Sequence, residues 1–262
     1  MSWDTTQVRS SAELRDALSK HEKEGWLFRG HSIAHGTLTP SIDRGRLKQL
    51  ERPAKLDLEL RSISTFRDCA KHLIQGEEDA RKDNFVALMV LRHHGVPNRL
   101  LDWSMRWPVA TFFAAEHHAE SDGEIWAFSE PAYRPAGEQQ WVDAPENTDG
   151  GTGKPGDFNG NLTFFNRETS DWFICLFYKG RFPRLTTQHG AFTVAARFSR
   201  DHADSIENLV PSNADRRRYI VPSRIKQELL GMVATEFKIS RAGLFPDTAG
   251  AALTAGMHFP RV

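Results

Sequence analysis

The stretch RHHGVPNRLLDWSMRWPVATFFAAE, residues 92–116, joins side chains that can do chemistry to side chains typical of a protein core. Asp102, Trp103 and Ser104 supply a carboxylate, an indole and a hydroxyl in direct succession. A planar, polar ligand such as nicotinamide or a nucleobase requires this combination of groups. In the alternative interpretation Asp102 caps a turn and Trp103 belongs to the core.

Arg29 is the second residue whose surroundings indicate a site. It follows the apolar run Trp-Leu-Phe and precedes Gly30, so its guanidinium projects from a buried strand end that other backbone can approach closely. Such an arginine needs an anionic partner, either a ligand phosphate or a protein carboxylate such as Asp102. We expect Arg29 and Asp102 to be largely buried and to face one cleft. Both partners of Arg29, the ligand phosphate and the carboxylate of Asp102, remain possible at this point.

A third candidate lies in TTQHGAFTV, residues 186–194, where Gln188 stands just before an apolar strand. A glutamine at the mouth of a strand can donate to and accept from the hydroxyl groups of a ribose. The alternative is an ordinary turn that leads into the strand.

Composition limits the classes of function. The chain has 34 basic and 34 acidic residues, which argues against binding nucleic acid by overall charge but leaves a local basic groove open. Cys69 and Cys175 lack metal-ligand spacing, and adjacent histidines on a helix point about 100° apart, so no metal site is expected. With no disulfide framework and no apolar run near the roughly 18 residues of a membrane span, we expect a cytoplasmic location.

The pattern of elements predicts an α+β fold with mixed, mostly antiparallel sheets and flanking helices, because strands and helices alternate irregularly. Ser11 is expected to cap the first helix. Residues 131–161 are rich in Gly, Pro, Asn and Asp, which predicts a mobile insertion loop. We expect a single domain over residues 1–262.

Four segments in the same order resemble the FRG domain family. They are Phe28-Arg29-Gly30, then HHGVPNRLLDWS with PVATFFA, then QHGAFTV, and finally IVPSRIKQELL with the LFPD ending. The resemblance covers about residues 22–250 and implies a single FRG domain with its core in that range. His93, Arg99 and Asp102 follow the family pattern. Arg92 and His94 depart from it, since the family usually has glutamine and tyrosine at these positions.

The order of motifs is also similar to that of ADP-ribosyltransferases of the arginine–serine–glutamate kind, which would give the fold an ADP-ribosyltransferase-like core. This similarity implies NAD as the substrate and a nucleic acid or protein as the acceptor. The implied catalytic residues are Arg29, Asp102, Ser104 and Gln188, the last standing in place of the usual glutamate. The implied NAD-binding residues are Arg29, His31, His94, Arg99, Trp103 and Ser104.

Three hypotheses of function follow. In the first, the protein transfers ADP-ribose to a macromolecule as a toxin or phage-defence effector, held in check by an antitoxin or partner protein. In the second, it is a non-catalytic module that binds a nucleotide, RNA or a partner protein, because a glutamine cannot carry the negative charge of a glutamate. In the third, His93, His94 and Asp102 serve a nuclease.

Overall fold

The computed structural model describes residues 3–70, 78–143, 172–178 and 182–247, together with Ala249. The strands are β1 (Asp4–Gln7), β2 (Trp26–His31), β3 (Leu100–Ser104), β4 (Gly123–Ser129), β5 (Phe173–Leu176), β6 (Gly190–Ala195) and β7 (Arg216–Val221). The helices are α1 (Ser11–Lys23), α2 (Arg52–Ala70), α3 (Asn84–His93), α4 (Trp107–Ala115), α5 (Glu130–Asp143), α6 (Pro183–Thr187), α7 (His202–Leu209), α8 (Lys226–Phe237) and α9 (Arg241–Leu244). Short 3-10 helices occupy Ser41–Asp43 and Gly45–Gln49.

These strands form one mixed sheet in the order β1-β7-β4-β2-β3-β6-β5. β1 runs parallel to β7, and every other neighbouring pair is antiparallel. The prediction of an α+β fold with mixed, mostly antiparallel strands is therefore confirmed.

The sheet opens in its middle, between β2 and β3. β2 pairs with β4 at six positions, from Trp26 to His31, but it pairs with β3 only where Phe28 faces Ser104. β3 in turn pairs with β6 along its whole length. Because paired strands lie only about 4.8 Å apart, their separation beyond Phe28 leaves room for side chains and a ligand.

Helix α4 covers the centre of the sheet and sets the position of β2. Pro108 lies at the first turn of the helix, where its missing N–H would have no helical partner. A Cβ at Gly30 would lie 1.9 Å from the carbonyl oxygen of Ala110, so only glycine permits this contact. Because Gly30 has no side chain, α4 lies directly on the backbone of β2 at this position.

Two predictions of local structure were wrong. Ser10, not Ser11, caps α1, because its side chain accepts the N–H of Glu13 at 3.2 Å. The first part of the expected insertion loop is helix α5, which begins where the Ser129 hydroxyl accepts the N–H of Ala132 at 3.2 Å. Buried Tyr133 then fixes the helix to β5. The prolines and the glycine in this segment are typical of a loop, so the sequence pattern does not indicate this interaction.

Residues 144–161 of the expected loop lie outside the described residues. Among the helices of the described ranges, none has the length and apolar character needed to cross a membrane.

Candidate functional site

A cleft of about 320 Å³ lies where β2 and β3 separate. Its walls come from both strands, from α4 and from the loops that follow β2 and α4. The polar lining residues are Arg29, His31, Ser32, His35, Arg44, Arg92, Asp102, Ser104, His117, His118 and Gln188. The cleft therefore combines many cationic or neutral donors with a single carboxylate.

Arg29 lies at the base of this opening and is only 7% exposed. Its Nη1 donates to Asp102 Oδ2 at 2.9 Å and also to the Asp102 main-chain carbonyl, while its Nε donates to His31 Nε2 at 2.9 Å. Burial lowers the pKa of Arg29 to about 10, so the guanidinium keeps its charge at neutral pH. The protein carboxylate that we considered as its partner is thus present, and it borders an open cleft.

Asp102 connects two arginines. Arg92 Nε donates to its Oδ1, opposite the contact with Arg29, and Arg92 Nη1 also donates to Ser41 Oγ at 3.2 Å. Burial alone would raise the pKa of Asp102, but the charges of Arg92 and Arg29 hold it well below its usual range. The side chain is 35% exposed, more than the sequence led us to expect. Asp102 is therefore a charged carboxylate in contact with the cleft.

His31 and Glu124 hold Arg29 in place from the other side. Because Arg29 Nε can only donate, His31 Nε2 is the acceptor and His31 Nδ1 carries the proton. Nδ1 donates to Glu124 Oε1 at 2.9 Å. Burial lowers the pKa of His31 to about 4, which keeps the ring neutral. Glu124 is fully buried and also accepts from Arg218 Nε at 2.8 Å. The result is a fixed orientation of the Arg29 guanidinium.

Ser104 and Gln188 meet at the opposite wall of the cleft. The Ser104 hydroxyl donates to the Gln188 main-chain carbonyl at 2.7 Å and accepts the N–H of Arg106 at 3.0 Å. Gln188 Nε2 donates to the Leu244 carbonyl at 3.0 Å. Since a carbonyl only accepts, this bond sets the amide orientation and leaves Oε1 of Gln188 as a hydrogen-bond acceptor.

Two of the predicted NAD-binding side chains, Arg99 and His94, do not line the cleft, and the indole N–H of a third, Trp103, is bound within the core. Trp103 borders the cleft, but its indole N–H donates to Thr193 Oγ1 at 2.8 Å, within the core of the sheet. Arg99 is 2% exposed and pairs with Glu59, which ties β3 to α2. His94 is an exposed residue at the C-terminal end of α3 and does not line the cleft.

A buried lysine that shapes the mouth of the cleft was not predicted. Lys226 is 2% exposed, and its ammonium group donates to the carbonyls of Ser32 at 2.7 Å, His118 at 2.9 Å and His117 at 3.1 Å. It thereby joins the two loops at the mouth of the cleft. A lysine within an otherwise amphipathic helix gives no signal of this role, because its partners are main-chain carbonyls from distant segments.

The charges in the cleft do not balance. Arg29, Arg44 and Arg92 stand against the single carboxylate of Asp102, so the arginine and carboxylate side chains of the cleft carry an excess of two positive charges. Burial, followed by repulsion from Arg92, lowers the pKa of Arg44. Concentrated guanidinium groups of this kind favour an anionic ligand, above all a phosphate or pyrophosphate.

The fold and the site define an α+β protein with a cationic cleft at an opening in its central sheet. The family model of the FRG domain matches residues 24–123, the segment that contains β2, β3, α4 and therefore most of the cleft. This match supports the resemblance to the FRG family over that segment. No curated protein and no solved structure matches the chain.

Proposed function

We propose that the cleft binds NAD through its pyrophosphate, that the protein breaks the bond between nicotinamide and ribose, and that it transfers ADP-ribose to a macromolecule. The observation that supports this function best is the group of three arginines around one partly exposed carboxylate at the opening of the sheet. The excess of two positive charges matches the two negative charges of the pyrophosphate in NAD. Phe113, which lines the same cleft, offers a ring for the nicotinamide in place of Trp103.

In this proposal the arginines and the carboxylate have separate roles. The pyrophosphate competes with Asp102 for Arg29 and Arg92, so that ligand binding leaves the carboxylate directed at the ribose. As the bond to nicotinamide breaks, its electron pair leaves with nicotinamide and positive charge develops on the ribose ring. A nearby carboxylate stabilises that charge more in the transition state than in the ground state. Gln188 Oε1 accepts a hydrogen bond from a ribose hydroxyl.

The experiment measures NAD binding and nicotinamide release separately. We expect Asp102→Asn to bind NAD at least as tightly as the original protein, because the arginines are no longer paired, but to release nicotinamide at least about 100-fold more slowly. Arg29→Gln should lose binding. Asp57→Asn, which removes an exposed carboxylate on α2, is the matched control and should change neither quantity. Failure to release nicotinamide or to transfer label from NAD to a cell extract would contradict the proposal.

The proposal includes a role as a toxin or phage-defence effector, since modification of an essential macromolecule stops growth. Expression of the protein in bacteria should arrest growth, and expression of Asp102→Asn should not. Equal growth arrest by the two proteins would contradict a role through NAD.

A second candidate function, a non-catalytic nucleotide-binding module, is favoured by the state of Gln188 and Asp102. The glutamine carries no charge and is held by Leu244, and the aspartate is neutralised by two arginines. This candidate predicts that calorimetry detects NAD binding, that Asp102→Asn binds NAD more tightly, and that neither protein releases nicotinamide. Any release that depends on Asp102 would exclude it.

A further inference from the structure

A polar groove leads away from the cleft along one side of the molecule. Its first section, of about 580 Å³, shares His31, His35 and Arg44 with the cleft and reaches Lys48 and Ser199. Its second section, of about 420 Å³, begins at Lys48 and Ser199 and ends at the start of α2. The cleft and the two sections therefore adjoin one another through shared lining residues, and a long ligand that follows them would have one end at Asp102.

Cationic side chains follow this groove. Arg44, Lys48 and Arg197 are exposed along it, and Arg52 is half-buried at its far end. Because the whole chain has no net charge, this row is a local concentration of positive charge rather than a property of the surface in general. A row of cations in a groove is suited to a ligand with repeated negative charges.

The carboxylates in the groove are mostly committed to the fold. Asp43 is buried and accepts from Lys55 Nζ at 2.7 Å. Asp201 caps α7 by accepting the N–H of Ala203 at 2.8 Å, and it also accepts the N–H of Leu38 at 2.9 Å. These bonds turn two negative charges toward the protein and leave Glu51 as the exposed carboxylate among the lining residues.

One aromatic ring stands among these cations. Phe198 is half-buried and lines the second section of the groove. The guanidinium carbon of Arg99 lies 4.1 Å from the ring centroid, and Arg99 is itself fixed by buried Glu59. Arg99 therefore packs against the ring from the protein side, and Phe198 still lines the groove.

We propose that the groove binds single-stranded nucleic acid and presents one of its nucleotides to the cleft as the acceptor of ADP-ribose. Phosphates pair with Lys48 and Arg197, and a base contacts Phe198. Cations combined with an aromatic platform are the means by which proteins bind single strands, whereas a duplex hides the faces of its bases. This proposal rests on the proposed function, because it names the acceptor of that reaction.

The transfer step balances without a further reactant. A nitrogen or oxygen atom of the presented nucleotide forms a bond to C1′ of the ribose. The bond between C1′ and nicotinamide breaks, its electron pair leaves with nicotinamide, and the acceptor atom loses its proton to solvent.

The binding test uses fluorescence anisotropy with labelled DNA and RNA strands of about 12 nucleotides, the matching duplexes, and a polyglutamate peptide. Lys48→Glu combined with Arg197→Glu should weaken single-strand binding at least about tenfold and reduce the salt slope by about 0.7 for each lost phosphate contact. Lys20→Glu combined with Lys23→Glu makes the same change of charge on exposed positions of α1 and should leave affinity within about twofold.

Phe198→Leu provides an independent variant. It should weaken single-strand binding about tenfold and leave the salt slope unchanged, because stacking involves no phosphate. Equal effects of the groove and control variants, preference for duplexes, or equally tight binding of polyglutamate would each overturn the proposal.

NAD binding and nicotinamide release are measured on the same variants, and the groove variants should change neither. If NAD is cleaved but single strands do not bind, the groove proposal fails and the proposed function stands. If single strands bind as expected but NAD is neither bound nor cleaved, the proposed function fails, and with it the assignment of the strand as acceptor.

Discussion

Loss of Asp102 should destabilise the protein more than loss of Arg29, although the two residues contact each other. Asp102→Asn leaves the guanidinium groups of Arg29 and Arg92 close together without their shared carboxylate, and Arg29 is only 7% exposed. Removal of one partner from a buried pair costs about 3–5 kcal/mol, and we expect Asp102→Asn to fall in this range. Arg29→Ala leaves Asp102 paired with Arg92 and in contact with solvent, so its cost should be about 2–3 kcal/mol.

The pH dependence follows from the lowered pKa of Asp102. A carboxylate whose folded pKa lies below its unfolded value stabilises the fold fully above the unfolded pKa of about 3.9 and loses that stabilisation as the pH falls through the folded pKa. The difference between Asp102→Asn and the original protein should therefore be constant from about pH 5 to 8 and shrink below about pH 4.

Urea unfolding followed by far-ultraviolet circular dichroism measures these free energies, with and without NAD. NAD should stabilise the original protein and Asp102→Asn but not Arg29→Ala. Equal free energies of unfolding for Asp102→Asn and the original protein near pH 7 would refute the reasoning about the shared carboxylate. If NAD stabilises Arg29→Ala as much as the original protein, the pair has a structural role only.

Three further substitutions and one control test the framework of the cleft. Gly30→Ala should cost at least about 3 kcal/mol in urea unfolding because its Cβ would meet the Ala110 carbonyl, whereas Gly231→Ala, with open space in α8, should stabilise by up to about 1 kcal/mol. The pKa of His31 is lowered to about 4 in the folded protein, so as the pH falls from about 6.5 to 4 the unfolded chain binds a proton that the folded protein does not. The free energy of unfolding should therefore fall over this range, and His31→Gln should flatten this part of the pH profile. Lys226→Met should weaken NAD binding in calorimetry and cost about 2–3 kcal/mol in unfolding, because it leaves three carbonyls at the cleft mouth without their donor.

The strands around the cleft could be predicted because their signals are local. The apolar run before Arg29 and the leucines before Asp102 indicate buried strands, and the structure has β2 and β3 at these positions. Pro108 and the apolar residues after it predict α4. These features depend on side chains within a few residues of each other, so a sequence pattern is sufficient to find them.

The partners of the charged residues could not be predicted in the same way. Arg99 and Arg29 both stand near strand ends among apolar neighbours, yet Arg99 pairs with Glu59 in the core and Arg29 reaches the cleft. The difference depends on where α2 packs and where the sheet opens, and no local pattern records either. Trp103 illustrates the same limit, since strand alternation places an indole on one of two faces and the sequence alone does not say which face is the cleft.

The departure at position 92 gains a physical meaning from this geometry. A glutamine there, as in the FRG pattern that this segment resembles, could donate to Asp102 but would add no charge. Arg92 adds the second cation on Asp102 and raises the positive excess of the cleft from one to two charges. In the proposed function that second charge matches the second negative charge of the pyrophosphate. Arg92→Gln should therefore keep the fold, because Asp102 retains Arg29, and should weaken NAD binding in calorimetry by about tenfold or more. Unchanged affinity for NAD would show that the excess charge serves another ligand.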